Sequence, residues 1–147
     1  MEAREWKIYW NKEAFSAYMY GSHIEYPAKD EVLFENSFMS PGTVIYEWYS
    51  KTNYSTQKIE PTLPMIDGES RYRIKVNMES IGMGEAMIRL VFYDRYEREA
   101  GVLNITEKET EFQCPLKTFS YRMQLINGGV KEIHFHSVII QEITDET

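Results

Sequence analysis

Residues 71–93 carry the pattern that most restricts the fold. From Arg71 onward every second residue is apolar: Tyr72, Ile74, Val76 and Met78 alternate with Arg71, Arg73, Lys75 and Asn77. A period of two sends successive side chains to opposite faces of a strand, one face for a core and one for water. After Ile81-Gly82-Met83-Gly84 the alternation resumes. Ala86, Ile88, Leu90 and Phe92 fall on one side, and Met87, Arg89, Val91 and Tyr93 on the other. Two such runs joined by a glycine-containing turn predict a hairpin. Matching its apolar faces would bring Arg89 near Lys75 and Arg73.

The rest of the chain repeats this grammar. Trp6, Ile8 and Trp10 alternate with Lys7, Tyr9 and Asn11. Tyr18–Tyr26 and Glu31–Phe34 read as a strand pair across Pro27-Ala28-Lys29-Asp30. Thr43–Trp48 reads as a strand entered through Ser40-Pro41-Gly42, and Pro61, Pro64 and Asp67-Gly68 mark the longest irregular stretch. A second hairpin is predicted with Phe119, Tyr121, Met123 and Leu125 facing inward, a turn at Asn127-Gly128-Gly129, and Ile133 and Phe135 inward on return. In that register Arg122 and Gln124 lie across from His134 and His136. Past Ser137 the parity slips to Val138 and Ile140, which predicts a β-bulge at His136-Ser137. Only Asn11–Ala17 suits a helical turn. Short alternating runs separated by turn residues predict an all-β, antiparallel β-sandwich, jelly-roll-like, over residues 1–143, with a frayed acidic tail at 144–147.

Composition narrows the class. The formal net charge is −7, which disfavours nucleic acid, whose binders gain affinity from basic contacts to phosphate, and disfavours an anionic membrane surface. No apolar run approaches the roughly 20 residues of a membrane span, and the N-terminus shows no signal-peptide core. With a single cysteine, Cys114, the expected compartment is the reducing cytoplasm. Eleven Tyr, seven Phe and three Trp exceed what one small core takes in. Tyr9, Tyr18, Tyr20, Tyr49 and Tyr54 are therefore expected at the surface, as interface material.

Catalytic frames are missing. There is no glycine-rich phosphate loop, no Gly-x-Ser-x-Gly and no His-Glu-x-x-His. Cys114 before Pro115 reads as a small buried thiol rather than a nucleophile. His134 and His136 share a strand face and could chelate, but no third ligand stands near them and the neighbouring Arg122 would repel a cation. No metal, cofactor or enzymatic activity is expected.

Two features have the chemistry of binding. One is the set of polar strand faces with Arg73, Lys75, Arg89, Arg122, Gln124, His134 and His136, among which Arg73, Arg89, Arg122 and Gln124 are the glycan-site candidates: their fixed donors suit sugar hydroxyls, and Tyr93 could stack on a sugar ring. The other reading of these residues is a solvated face paired with the many carboxylates. The second feature is Trp48 followed by Asn53 and Tyr54, either an aromatic shelf for a sugar or, for Trp48, part of the core.

This second stretch also carries a family likeness. Tyr20-Gly21-Ser22-His23-Ile24, then Met39-x-Pro41-Gly42-Thr43-x-Ile45-x-Glu47-Trp48-x-Ser50-x-Thr52-Asn53-Tyr54, then Pro61-x-Leu63-Pro64, resemble the family of third accessory Sec system proteins. Trp6–Asn11, Phe119-Ser120-Tyr121 and the closing strands resemble it too, so the likeness runs from about Trp6 to Ile143. Ser40 departs from it, where a second proline beside Pro41 would be expected. The resemblance implies a non-catalytic subunit of a cytoplasmic complex that serves the export of serine-rich repeat glycoprotein adhesins. It implies as partners the other two accessory Sec proteins, one glycosyltransferase-like and one acetyltransferase-like, together with the accessory SecA motor and the adhesin. It also implies a fold like a carbohydrate-binding module. A role as a pure protein–protein scaffold stays open.

Overall fold

The computed structural model of the chain describes residues 4–11, 18, 20–50 and 63–143. The helical turn expected beyond Asn11, the candidate site residues Asn53 and Tyr54, Pro61 and the 144–147 tail lie outside the described residues. Those described form ten antiparallel strands: β1 (Glu5–Ile8), β2 (His23–Ala28), β3 (Glu31–Glu35), β4 (Val44–Tyr49), β5 (Arg71–Gly82), β6 (Met87–Tyr93), β7 (Glu99–Ile105), β8 (Glu109–Gln113), β9 (Ser120–Ile126) and β10 (Val130–Ile143). One sheet runs β2-β3-β10-β5-β8, with β1 also paired to β10. The other runs β4-β9-β6-β7. The two sheets face each other across the core, as the alternation predicts for a sandwich.

Strand faces follow the sequence closely. Tyr72, Ile74 and Val76 are buried, as are Ile88, Leu90 and Phe92, Tyr121, Met123 and Leu125, and Ile133 and Phe135. The bulge sits where the parity slips. The β10–β5 register jumps between Phe135 and Ser137, after which Val138 and Ile140 turn inward. Phe119 departs from the expected inward face: it is 56% exposed, because it precedes β9 in a bend that is tied through its amide to the Tyr93 carbonyl.

Pairing departs from the sequence reading in two places. β5 and β6 do not pair: β5 lies between β10 and β8, and β6 between β9 and β7. β9 and β10 likewise belong to different sheets. Both connections pass from one sheet to the other at the same end of the sandwich. They lie backbone against backbone: a Cβ on Gly84 would meet the Gly128 carbonyl oxygen at 1.9 Å, and one on Gly128 would meet the Glu85 oxygen at 2.1 Å. Only glycine permits that approach. Asn127 ties the same end together. Its side-chain oxygen accepts from the amides of Gly129 and Val130, and its side-chain nitrogen donates to the Ser40 carbonyl at 3.0 Å.

The core is built on rings. Trp48 packs 4.3 Å from Tyr46 and 5.5 Å from Phe135 between centroids, and Trp10 packs 4.7 Å from Tyr46. Such contacts add about 0.5–1.5 kcal/mol each beyond area burial. The polar tips of three buried rings, Trp48, Tyr72 and Tyr121, meet loop backbone. Trp48 Nε1 donates to the Tyr9 carbonyl at 2.8 Å, the Tyr121 hydroxyl donates to the Pro64 carbonyl at 2.6 Å, and the Tyr72 hydroxyl accepts from the Asp67 amide at 3.0 Å. A buried polar atom left alone is costly, so these bonds hold the loops against the sheets.

Candidate functional site

The pairing decides which sequence candidates meet. Arg73 and Lys75 lie on the outer face of the six-stranded sheet, and Arg89, Arg122 and Gln124 on the outer face of the four-stranded sheet. Arg89 is therefore not beside Arg73 and Lys75, because the strands that carry them cross between sheets instead of forming a hairpin. For the same reason Arg122 and Gln124 are not across from His134 and His136.

On the six-stranded sheet the two arginines of β5 are neutralised locally. Arg73 lies 2.7 Å from Glu111 and 3.1 Å from Glu109, and Arg71 lies 3.4 Å from Glu111. The hydrogen bond from Arg73 holds the Glu111 carboxyl below its usual range. These are cross-strand pairs between β5 and β8, the ordinary solvated-face reading of Arg73. His134 is bonded to Glu132 at 2.8 Å, while His136 Nδ1 donates to the Asp30 carbonyl at 3.0 Å. Among the described residues no group of three His, Cys, Asp or Glu could hold a metal ion. Burial pushes the Cys114 thiol up to about 12, so it carries no thiolate at neutral pH.

The four-stranded sheet holds a different arrangement. With Tyr46 and Trp48 inward, β4 turns Glu47 and Tyr49 out. With Tyr121, Met123 and Leu125 inward, β9 turns out Arg122 and Gln124. The register sets Glu47 beside Gln124, Tyr49 beside Arg122 and Arg89 beside Gln124. The Arg122 guanidinium sits 5.1 Å from the Tyr49 ring centroid and 5.3 Å from that of Tyr93, so two rings on neighbouring strands flank it. Glu47 organises the row. One carboxylate oxygen accepts the Tyr49 hydroxyl and stands 3.7 Å from Arg122, and the other accepts Gln124 Nε2 at 2.6 Å. Its side chain is only 15% exposed, against 46% for Arg122. Partial burial strengthens such charge-assisted bonds. Arg89 extends the row, donating through Nε to Asn104 Oδ1 at 2.8 Å.

Chemically this is a fixed ridge of donors and ring edges on a rigid sheet, nearly balanced in charge. Cation–π contact fixes the Arg122 plane, and the carboxylate fixes the Gln124 amide. Trp48 does not join it. It is 1% exposed and lies beneath the sheet, so the core reading holds and the sugar-shelf reading fails for this residue. The sequence does not mark Glu47 as a site residue, and it marks Tyr49 only as an exposed ring. The signal was their place on either side of Trp48, since a buried Trp48 forces both neighbours outward.

Among the tyrosines expected at the surface, Tyr20 is 80% exposed and Tyr9, Tyr18 and Tyr49 are half-buried. Among the described residues no helix is long and apolar enough to cross a membrane.

Comparison with known proteins supplies the context. The family described as the accessory Sec secretory system ASP3 matches residues 17–142. A protein of that name from Streptococcus gordonii is 36% identical over 132 residues, covering 88% of this chain and 82% of its own length. One from Staphylococcus aureus is 23% identical over 146 residues, covering 99% of this chain but 46% of its own length. Two solved structures superpose with a TM-score of 0.85. In the glycosylation-associated protein complex Gap123 of Streptococcus agalactiae, the match has 30% identity over 96% of this chain and 45% of that one. In the structure of accessory secretory proteins 1, 2 and 3 of Streptococcus pneumoniae, it has 25% identity over 94% of this chain and 96% of that one. The chain thus spans less than half the length of two of these four relatives. Its match to the family over most of its length, by sequence and by fold, establishes that the chain belongs to the ASP3 family of the accessory Sec secretory system.

Proposed function

We propose that the chain is a non-catalytic subunit of a cytoplasmic accessory Sec complex, and that it helps the glycan modification and export of serine-rich repeat glycoprotein adhesins. The outer face of the four-stranded sheet is its contact with glycosylated adhesin. The observation that carries this reading is the ridge in which Glu47 fixes Gln124 and Tyr49 beside Arg122, flanked by Tyr93. Planar donors held by a carboxylate next to aromatic rings suit a neutral sugar, whose hydroxyls take the hydrogen bonds while its apolar face lies on a ring. Relatives occur in assemblies named for accessory secretory proteins 1, 2 and 3 and for glycosylation. That supports the other two accessory Sec proteins as partners; the SecA motor is added from the family resemblance alone. The complex carrying Arg122→Ala and Gln124→Ala should bind glycosylated adhesin at least tenfold more weakly, with complex assembly unchanged. Unchanged binding by this double variant would sink the glycan-contact role.

A second reading, a scaffold that touches proteins and no sugar, is favoured by apolar side chains at the ends of the sandwich. Phe38 and Met83 are 80% and 98% exposed. In that case substitution at Phe38 and Met83, and not on the Arg122 ridge, would release the partner proteins.

A further inference from the structure

The register break in β10 has an effect on the sheet edge beside it. β5 pairs along the whole of one side of β10, so β3 and β1 must share the other. β3 takes Glu132–Phe135 and β1 takes Val138–Gln141, and the two strands separate at the break. The chain leaving β1 and the chain turning from β2 into β3 bound a hollow of about 580 Å³. That volume falls within the range of small-ligand sites, roughly 300–1,000 Å³. Its walls include the rings of Tyr9, Trp10 and Tyr26 and the side chains of Lys7 and Lys29.

Three properties distinguish it from a chance dent. First, no carboxylate stands among the described residues that line it, in a chain of net charge −7. Among the described residues, this gathers two lysines where no carboxylate lines the wall. Second, Lys29 is oriented: its ammonium lies 4.7 Å from the Tyr9 ring centroid, a cation–π contact that leaves its N–H donors available. Third, the walls are tied down. Trp48 Nε1 holds the Tyr9 carbonyl, the Tyr46 hydroxyl accepts from the Asn11 amide at 3.2 Å, and His136 Nδ1 holds the Asp30 carbonyl in the turn after Lys29. A preformed wall spares the ordering cost of binding.

We propose that this hollow binds a small ring compound bearing a phosphate, with the ring against Tyr9 and Tyr26 and the phosphate between Lys7 and Lys29. The site is separate from the Arg122 ridge, which lies on the other sheet, and it stands whether or not that ridge contacts glycan. A sugar phosphate and a nucleotide share the required chemistry.

The test is a titration of the full chain, followed by backbone amide shifts, with glucose 6-phosphate, uridine monophosphate, glucose and inorganic phosphate. Glucose 6-phosphate or uridine monophosphate should shift the amides of Tyr9, Tyr26 and Lys29, and whichever binds more tightly identifies the source. Glucose and inorganic phosphate should each bind at least tenfold more weakly. The exposed double variant Lys7→Ala/Lys29→Ala should lose at least tenfold in affinity, with its remaining spectrum unchanged, while Arg73→Ala, whose side chain is paired with Glu109 and Glu111, binds as the native chain does. Absence of shifts at millimolar ligand overturns the site. Equal response to inorganic phosphate reduces it to an unspecific cation pair, and equal response to glucose removes the phosphate requirement; either result defeats the proposal.

Discussion

Arg73 and Arg122 occupy equivalent positions in sequence terms. Each lies mid-strand between two buried residues, so each points to water from the outside of a sheet. Their surroundings differ. Arg73 is met by two carboxylates from the edge strand β8, both about half exposed. Arg122 is met by two rings and by one mostly buried carboxylate that two other side chains also use. The first arrangement is a solvated ion-pair ladder, in which water competes for every contact. The second is a shared network, in which removing one member disturbs the rest. The identity of the cation therefore says little about function. The cross-strand neighbours decide it, and they are set by the order of strands in the sheet.

The contrast can be broken most strongly from below. Trp48→Ala removes the ring on which β4 rests, between the two outward members Glu47 and Tyr49. It should lower stability by about 3–5 kcal/mol, read from the urea midpoint. If adhesin binding fell while that midpoint stayed in place, Trp48 would be a ligand contact and the division between floor and face would be wrong. A medium effect is expected at the centre of the ridge. Glu47→Ala leaves Gln124 and Arg122 without their shared acceptor. It should cost about 1–3 kcal/mol and loosen adhesin binding as much as the double variant of Arg122 and Gln124 does. Glu47→Gln should recover part of the binding, because one acceptor oxygen remains. The smallest effect belongs to the other sheet. Arg73→Ala should cost no more than about 1 kcal/mol, a difference that fades in high salt, and should leave binding untouched. Equal losses for Glu47→Ala and Arg73→Ala would erase the distinction between the faces.

What the sequence disclosed and what it concealed divide along the same line. Alternation identifies a strand and the side that meets the core, and it did so for Tyr72, Ile74 and Val76, for Ile88, Leu90 and Phe92, and for the parity slip that marks the β10 bulge. It carries no information about which sheet a strand joins, because both sheets of a sandwich offer the same apolar face inward. Gly82-Met83-Gly84 and Asn127-Gly128-Gly129 have the composition of hairpin turns, yet their glycines serve the close passage of two crossovers. Taken as hairpin turns, they would set Arg89 beside Arg73 and Arg122 beside His134. Once the sheets are sorted, Arg89, Arg122 and Gln124 remain together, and Arg73 leaves the group. Glu47 went unnoticed because a single carboxylate among 23 acidic residues has no signature until its neighbours across the sheet are known.

The position of β10 has a consequence for how the chain is made. This strand lies at the middle of the six-stranded sheet, holding β1 and β3 on one side and β5 on the other, yet it follows all of them along the chain. While a ribosome is still producing residues before Val130, β3 and β5 have emerged with the edges that β10 will join still bare. Exposed edges of that kind invite pairing with other chains, and contacts between residues so distant in sequence form slowly. The interval before β10 emerges is therefore when this protein most needs shielding. A chain released short of that strand would leave half of the sandwich without its central member.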